Sequence, residues 1–270
     1  MELLSAQIIL LSLFFGAVAG FLAGLLGIGG GVILVPLFLW LFPLACFPEH
    51  LVVHTAFGTS LAIIVPTSIS STLGHRKRGN VDWHMVTFLA IGGIIGALLG
   101  STAAAYMPGN QLKAVFGLLQ IVIALKLLFF QPHLPPERSD PPPSRQLLLV
   151  GLAGGFFSAF FGIGGGIVAV PLMLIVLQLP IHLAVGNSSA LIVVSSFAAT
   201  LGYVFHGLQQ PVTTPFSLGY VNLLVAAVLA PLTMICARVG VRLATEVSQQ
   251  RLIKVFAVML ILIGLKILFS

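Results

Sequence analysis

Gly27-Ile28-Gly29-Gly30-Gly31-Val32-Ile33-Leu34-Val35-Pro36-Leu37 is echoed 135 residues later by Gly162-Ile163-Gly164-Gly165-Gly166-Ile167-Val168-Ala169-Val170-Pro171-Leu172. Each copy lies in a stretch with no Asp, Glu, Lys or Arg, residues 3–48 and residues 146–237. Glycine opens backbone conformations closed to other residues, so such a cluster interrupts an apolar helix. Interrupted backbone at membrane depth persists only where protein or a water-lined cavity satisfies it. Two such breaks at corresponding places in the two halves of a chain point to a transporter's central binding site.

The surrounding composition agrees. Of 270 residues, 59% are hydrophobic and 7% charged, and the mean hydropathy is +1.16. A soluble domain carries about 25% charged residues, so lipid is the solvent for most of this surface. The net charge of +6 comes from basic residues in loops, where they anchor cytoplasmic ends. No soluble basic module exists for nucleic acid, which is excluded as a partner. Cys46 and Cys236 fit neither a metal spacing nor a disulfide framework. The start, Met1 to Ser5, lacks the positive region of a cleavable signal peptide and reads as the beginning of the first membrane segment.

Apolar segments fall at 5–42, 50–73, 83–107, 111–130, 146–179, 184–206, 216–238 and 250–269. Residues 131–145 contain Pro132, Pro135, Pro136 and the run Pro141-Pro142-Pro143, which cannot continue a helix and forms a stiff spacer. This divides the chain into an N-terminal membrane repeat (1–130), a Pro-rich cytoplasmic linker (131–145) and a C-terminal membrane repeat (146–270). The halves align in detail. Gly58-Thr59-Ser60 matches Gly186-Asn187-Ser188 at an offset of 128, and Val115-Phe116 matches Val255-Phe256 at an offset of 140.

Loop charge indicates that the repeats are inverted. Arg76, Lys77 and Arg78 have an uncharged counterpart in the loop at 207–215, whereas Lys113 has a strongly basic counterpart at 238–254, with Arg238, Arg242, Arg251 and Lys254. Basic loops face one side, so equivalent loops lie on opposite sides. Each half must then cross an odd net number of times. Residues 5–42 would extend about 57 Å as one helix, so the first segment of each half is a hairpin turning at its glycines. The expected fold is all-α, a polytopic membrane protein of two inverted repeats, each a Gly-broken hairpin plus three transmembrane helices, with 8–10 membrane helices in total. Rocking of one half against the other is the expected motion.

A glycine turn followed by a restarting helix presents backbone N–H groups and a partial positive charge, which suits an anion. Thr59, Ser60, Asn187 and Ser188 add uncharged donors. The distal Ser and Thr residues, including Thr67, Ser70, Ser71, Ser195 and Ser196, suit interhelical hydrogen bonding as well. His54 and His182 occupy equivalent places near helix starts, and His75 and His206 lie at far ends. Trp40 and Trp83 read as interfacial residues. All six carboxylates (Glu2, Glu49, Asp82, Glu137, Asp140 and Glu246) are terminal or in loops, which disfavours carboxylate-mediated proton coupling. The glycine cluster lacks the last glycine of a dinucleotide fingerprint and has no Walker lysine. No catalytic residues, metal ligands or cofactor are expected.

The duplicated Gly-x-Gly-Gly-Gly-x-x-x-x-Pro motif, the Gly-Thr-Ser and Gly-Asn-Ser segments and the basic loop after the second apolar segment resemble the TauE/SafE sulfite exporter family over residues 7–269. The resemblance implies a multi-pass permease of the bacterial cytoplasmic (inner) membrane that exports small sulfur oxyanions such as sulfite or sulfonates. Carried onto this chain, the implied substrate site is Gly29, Gly30, Gly31, Gly58, Thr59 and Ser60 with Gly164, Gly165, Gly166, Gly186, Asn187 and Ser188. The expected partners are that small anion and membrane lipid, with a homodimer left open as the assembly. An anion channel, or an importer of another small anion, is the alternative.

Overall fold

Both glycine clusters end one helix and start another. In the computed structural model, which describes residues 6–27, 29–129, 140–211, 214–243, 260–262 and 264–267, α1 (Ala6–Leu26) gives way to α2 (Gly31–Leu44), and α6 (Ser144–Phe161) to α7 (Gly166–Ile175). Between them run α3 (Glu49–Arg76), α4 (Trp83–Tyr106) and α5 (Gly109–Phe129). After them run α8 (Ile181–Leu208), a two-stranded hairpin of β1 (Ser217–Leu218) and β2 (Val221–Asn222), and α9 (Leu223–Leu243). Residues 260–262 and 264–267 are helical. Five of these helices are long and apolar enough to cross a membrane, and shorter apolar helices accompany them. The protein is an all-α, polytopic membrane protein.

The hairpin arms differ in reach. At 1.5 Å per residue the 14 residues of α2 cover about 21 Å and the 10 of α7 about 15 Å, too short for a hydrocarbon core of about 30 Å. Both returning arms are therefore half-helices. The 28-residue α3 and α8 are the long central pair. The apolar window of α3 is 78% buried, against 33% for α9, so α3 lies at the centre and α9 toward lipid.

Equivalent helices run in opposite directions. Gly58, near the start of α3, rests against the Tyr220 carbonyl beyond the end of α8, while Gly186, near the start of α8, rests against the Asn80 carbonyl beyond the end of α3. Ser71 meets Ser189 at 3.2 Å between them. This antiparallel pairing is the inverted relation that the loop charges indicated. The Arg78 guanidinium donates to the carbonyls of Val241 and Arg242, so the basic end of α3 and the end of α9 share one face of the bundle.

The halves are interlocked. Gly16, Gly20 and Gly24 of α1 pack on Leu229, Thr233 and Ala237 of α9, and Gly92, Gly96 and Gly100 of α4 pack on Leu148, Leu152 and Phe156 of α6. Helices associate in lipid through close van der Waals packing of small residues at four-residue spacing. Each hairpin is thus zipped to the third apolar segment of the other half. Hydroxyls reinforce the α3–α9 contact: Thr67 and Thr233 are 2.7 Å apart, and the Arg238 Nε–H donates to Ser70 Oγ at 3.1 Å.

Three sequence expectations are corrected here. Residues 217–222, read as the start of an apolar segment, form the β-hairpin, because apolar content does not distinguish a buried hairpin from a helix. Arg238 and Arg242, placed in a loop, lie in the last turns of α9, where cations favour the helix C-terminal dipole. Hydrophobic packing takes α3 on to Arg76 and α8 to Leu208. Arg251, Lys254 and most of the 131–145 linker lie outside the described residues.

Candidate functional site

The two turns share one backbone. Gly27, Gly29 and Gly30 have φ of 65°, 83° and 78°, and Gly162, Gly164 and Gly165 have 67°, 84° and 74°. Gly30 and Gly165 cap α2 and α7 in the left-handed conformation without a side-chain cap. A Cβ at Gly30 would lie 2.7 Å from the Ala19 carbonyl oxygen, and one at Gly165 would collide with the Gly154 carbonyl. Both conformation and space require glycine at these two positions.

The turns meet. A Cβ on Gly29 would stand 3.3 Å from the Gly164 Cα, and one on Gly164 would stand 3.4 Å from the Gly29 Cα. Gly164 rests on Ile64 of α3 and Gly29 on Ile192 of α8, both near the middle of the 28-residue helices. All of Gly29, Gly30, Gly31, Gly164, Gly165 and Gly166 are buried. Val168 and Ala169 donate back to the Gly165 carbonyl at 3.0 and 2.8 Å. The N–H groups of Gly164, Gly165, Gly166 and Ile167 find no acceptor among the described residues. Two half-helix N-termini therefore converge at mid-bundle, with donors and the positive ends of two dipoles.

The tripeptides Gly58-Thr59-Ser60 and Gly186-Asn187-Ser188 hold these turns from the opposite half. Ser60 donates to the Gly162 carbonyl at 2.8 Å, and Ser188 to the Gly27 carbonyl at 3.3 Å. Thr59 Oγ1 accepts the Asn222 N–H at 2.9 Å, and Asn187 Oδ1 accepts the Asp82 N–H at 2.8 Å. Asp82 and Asn222 in turn cap α4 and α9: Asp82 Oδ1 accepts from His84 and Met85, and Asn222 Oδ1 from Val225. Gly58 and Gly186 admit the loop carbonyls of Tyr220 and Asn80. The twelve residues singled out in the sequence thus fall into two layers. Six glycines form the meeting turns, and six residues of α3 and α8 brace the turns and the loops beside them.

Sequence reading missed the two caps, although Asp82 and Asn222 directly precede their helices and are preferred capping residues. It also missed Ser158, four residues before Gly162 and fully buried, whose Oγ has no hydrogen-bond partner among the described residues. Its equivalent in the first half is Ala23. A second difference concerns the prolines. Pro36 removes the N–H that would pair with the Val32 carbonyl, and Gln120 Nε2 of α5 supplies a donor at 3.0 Å. The position equivalent to Gln120 is Leu260, which cannot donate.

The histidines bracket the site. His75 Nε2 lies 3.3 Å from the Gly24 carbonyl oxygen, and His54 Nε2 lies 3.1 Å from that of Ala104. His54 also stacks on Tyr220 with ring centroids 5.0 Å apart. His206 Nε2 is 3.2 Å from Thr102 Oγ1, and His182 is exposed.

Residues 12–267 match the family model described as sulfite exporter TauE/SafE. A probable membrane transporter protein of Haemophilus influenzae is 31% identical over 258 residues, covering 95% of this chain and 97% of the relative. Another from Bacillus subtilis is 27% identical, covering 94% and 95%. A third from Methanocaldococcus jannaschii is 28% identical, covering 88% and 86%. Together with the membrane-spanning helices, these matches show a membrane transporter and not an enzyme.

Proposed function

The chain belongs to the sulfite exporter TauE/SafE family, and on that premise we propose that it is a secondary transporter that exports a small sulfur oxyanion, such as sulfite or a sulfonate, across a bacterial cytoplasmic membrane. The observation that carries this reading is the contact of the two glycine turns at mid-bundle, with N–H donors left over. An oxyanion seated there takes hydrogen bonds from the turns at Gly29–Gly31 and Gly164–Gly166. The residues Gly58, Thr59, Ser60, Gly186, Asn187 and Ser188 hold both turns in register. With the basic face in the cytoplasm, as loop charge directs, an anion leaving a negative interior moves downhill by about 2.3 kcal/mol per charge per 100 mV. Export then needs no coupled ion and no intramembrane carboxylate.

The zippers α1–α9 and α4–α6 bear on the expected motion. Each pair joins one helix from each half through backbone-level contacts. This interlocking favours alternating access by movement of these two pairs against the central α3–α8 pair over rocking of residues 1–130 against residues 146–270. The close contact of Gly29 with Gly164 suits a carrier better than an open channel. The test is flux in proteoliposomes holding the purified chain. Sulfite, thiosulfate or methanesulfonate efflux that follows an imposed potential is expected at carrier rates. No flux of any of the three contradicts the proposal, and channel-scale currents replace the carrier with a conduit.

A further inference from the structure

The two turns have the same backbone but not the same side-chain chemistry. Ser158 lies one turn ahead of the C-cap Gly162, its carbonyl occupied by the N–H groups of Gly162 and Ile163. Its Cβ is 2.8 Å from the point where a side chain at Gly165 would begin, which puts the Ser158 side chain beside the N-terminus of α7. The residue is fully buried, and Oγ has no hydrogen-bond partner among the described residues. In the first half the matching atom is the Ala23 methyl, 3.3 Å from the corresponding point at Gly30. A buried hydroxyl without a partner costs free energy unless something else uses it. The N–H groups at the start of α7, which an N-terminal serine hydroxyl ordinarily satisfies, are also without acceptors among the described residues.

We propose that Ser158 Oγ is a direct ligand of the transported oxyanion, donating to one of its oxygens while the α7 N-terminal N–H groups donate to another. This rests on the anion-transporter reading above and deepens it. The ligand class is an oxyanion with at least two separate acceptor oxygens, held more tightly by the second turn, while the first turn contributes backbone donors alone. A cap that merely serves α7 would give Ser158 a different signature: its removal would then destabilise the protein without ligand.

The experiment uses the full chain in detergent, unfolded thermally with increasing sodium sulfite, thiosulfate or methanesulfonate. In Ser158→Ala the ligand-free melting temperature should stay level or rise, because an unpaired hydroxyl is gone. The anion concentration giving half the stabilisation should rise about tenfold, the loss of one hydrogen bond to a charged group. Ser158→Cys, of similar volume and with a weak donor, should show the same loss and decides the matter if the alanine variant does not fold. An anion response unchanged from the parent chain in either variant overturns the assignment, as does a lower ligand-free melting temperature with unchanged anion response. A parent chain that ignores all three anions overturns the transporter-site reading itself, and Ser158 with it.

Discussion

The hairpin α1–α2 and the hairpin α6–α7 differ by a few degrees in the φ of their glycines but are finished differently. In the first, Gln120 takes up the carbonyl that Pro36 leaves open, and Ala23 places an inert methyl beside the turn. In the second, Leu260 cannot serve the carbonyl freed by Pro171, and Ser158 holds a hydroxyl without a partner among the described residues. The duplication therefore preserves the backbone that creates donors, while side chains around it have diverged. Both turns are braced by a serine of the opposite half, but only the second has a buried hydroxyl without a partner among the described residues at its helix start. An inverted repeat places the two copies on opposite approaches to one centre, so on the proposed function this divergence makes the two approaches chemically unequal.

The largest effects should break the shared backbone. Gly165→Ala and Gly30→Ala combine left-handed strain with a backbone clash, a cost of about 3 kcal/mol or more. Gly165→Ala should be the worse, because its added Cβ meets the Gly154 carbonyl more closely than the one at Gly30 meets Ala19. Size-exclusion profiles after solubilisation check this, and a monodisperse Gly165→Ala protein would break the equivalence.

Next come the acceptors of the capping loops. Thr59→Val strands the Asn222 N–H, and Asn187→Leu strands the Asp82 N–H, each at about 1–3 kcal/mol. The Asn222 contact is fully buried and the Asp82 contact partly so, so thermal melts should rank Thr59→Val as the more damaging.

Ser60→Ala and Ser188→Ala sharpen the comparison further. Each removes one neutral hydrogen bond, worth about 1 kcal/mol, and the shorter Ser60 contact, 2.8 against 3.3 Å, should cost more. Both should also weaken the anion response, since both hold a turn.

The smallest change is expected from Gln120→Leu, which converts the first half to the second at this position. It removes a bond to Val32 together with an Oε1 that has no partner among the described residues, so melting should register a net change under about 1 kcal/mol.

The glycine repeat made the broken hairpins legible in sequence, because four glycines in five residues interrupt an apolar run twice. The basic residues at 76–78 and 238–242 made inversion legible, and Arg78 reaching Val241 and Arg242 places both clusters on one face. The zippers were hidden. Glycines at four-residue spacing show that α1 and α4 pack closely, but the identity of the partner depends on contacts far apart in sequence. The tripeptides were legible as polar and duplicated, yet not as braces. A Thr or Ser that fixes a carbonyl reads the same as one that awaits a ligand until its neighbours are placed. Ser158 stood out only against Ala23, a difference that a search for similarity passes over.

The central claim is that both glycine turns hold one oxyanion between them at mid-membrane. Its most direct test is anomalous diffraction from crystals of the full chain soaked in selenite, a heavier analogue of sulfite. A selenium peak should appear with its oxygens about 3 Å from the N–H groups of the Gly164–Ile167 turn, and within reach of Gly29–Gly31. A selenite found only at the basic face near Arg76–Arg78, with the glycine turns unoccupied, would contradict it.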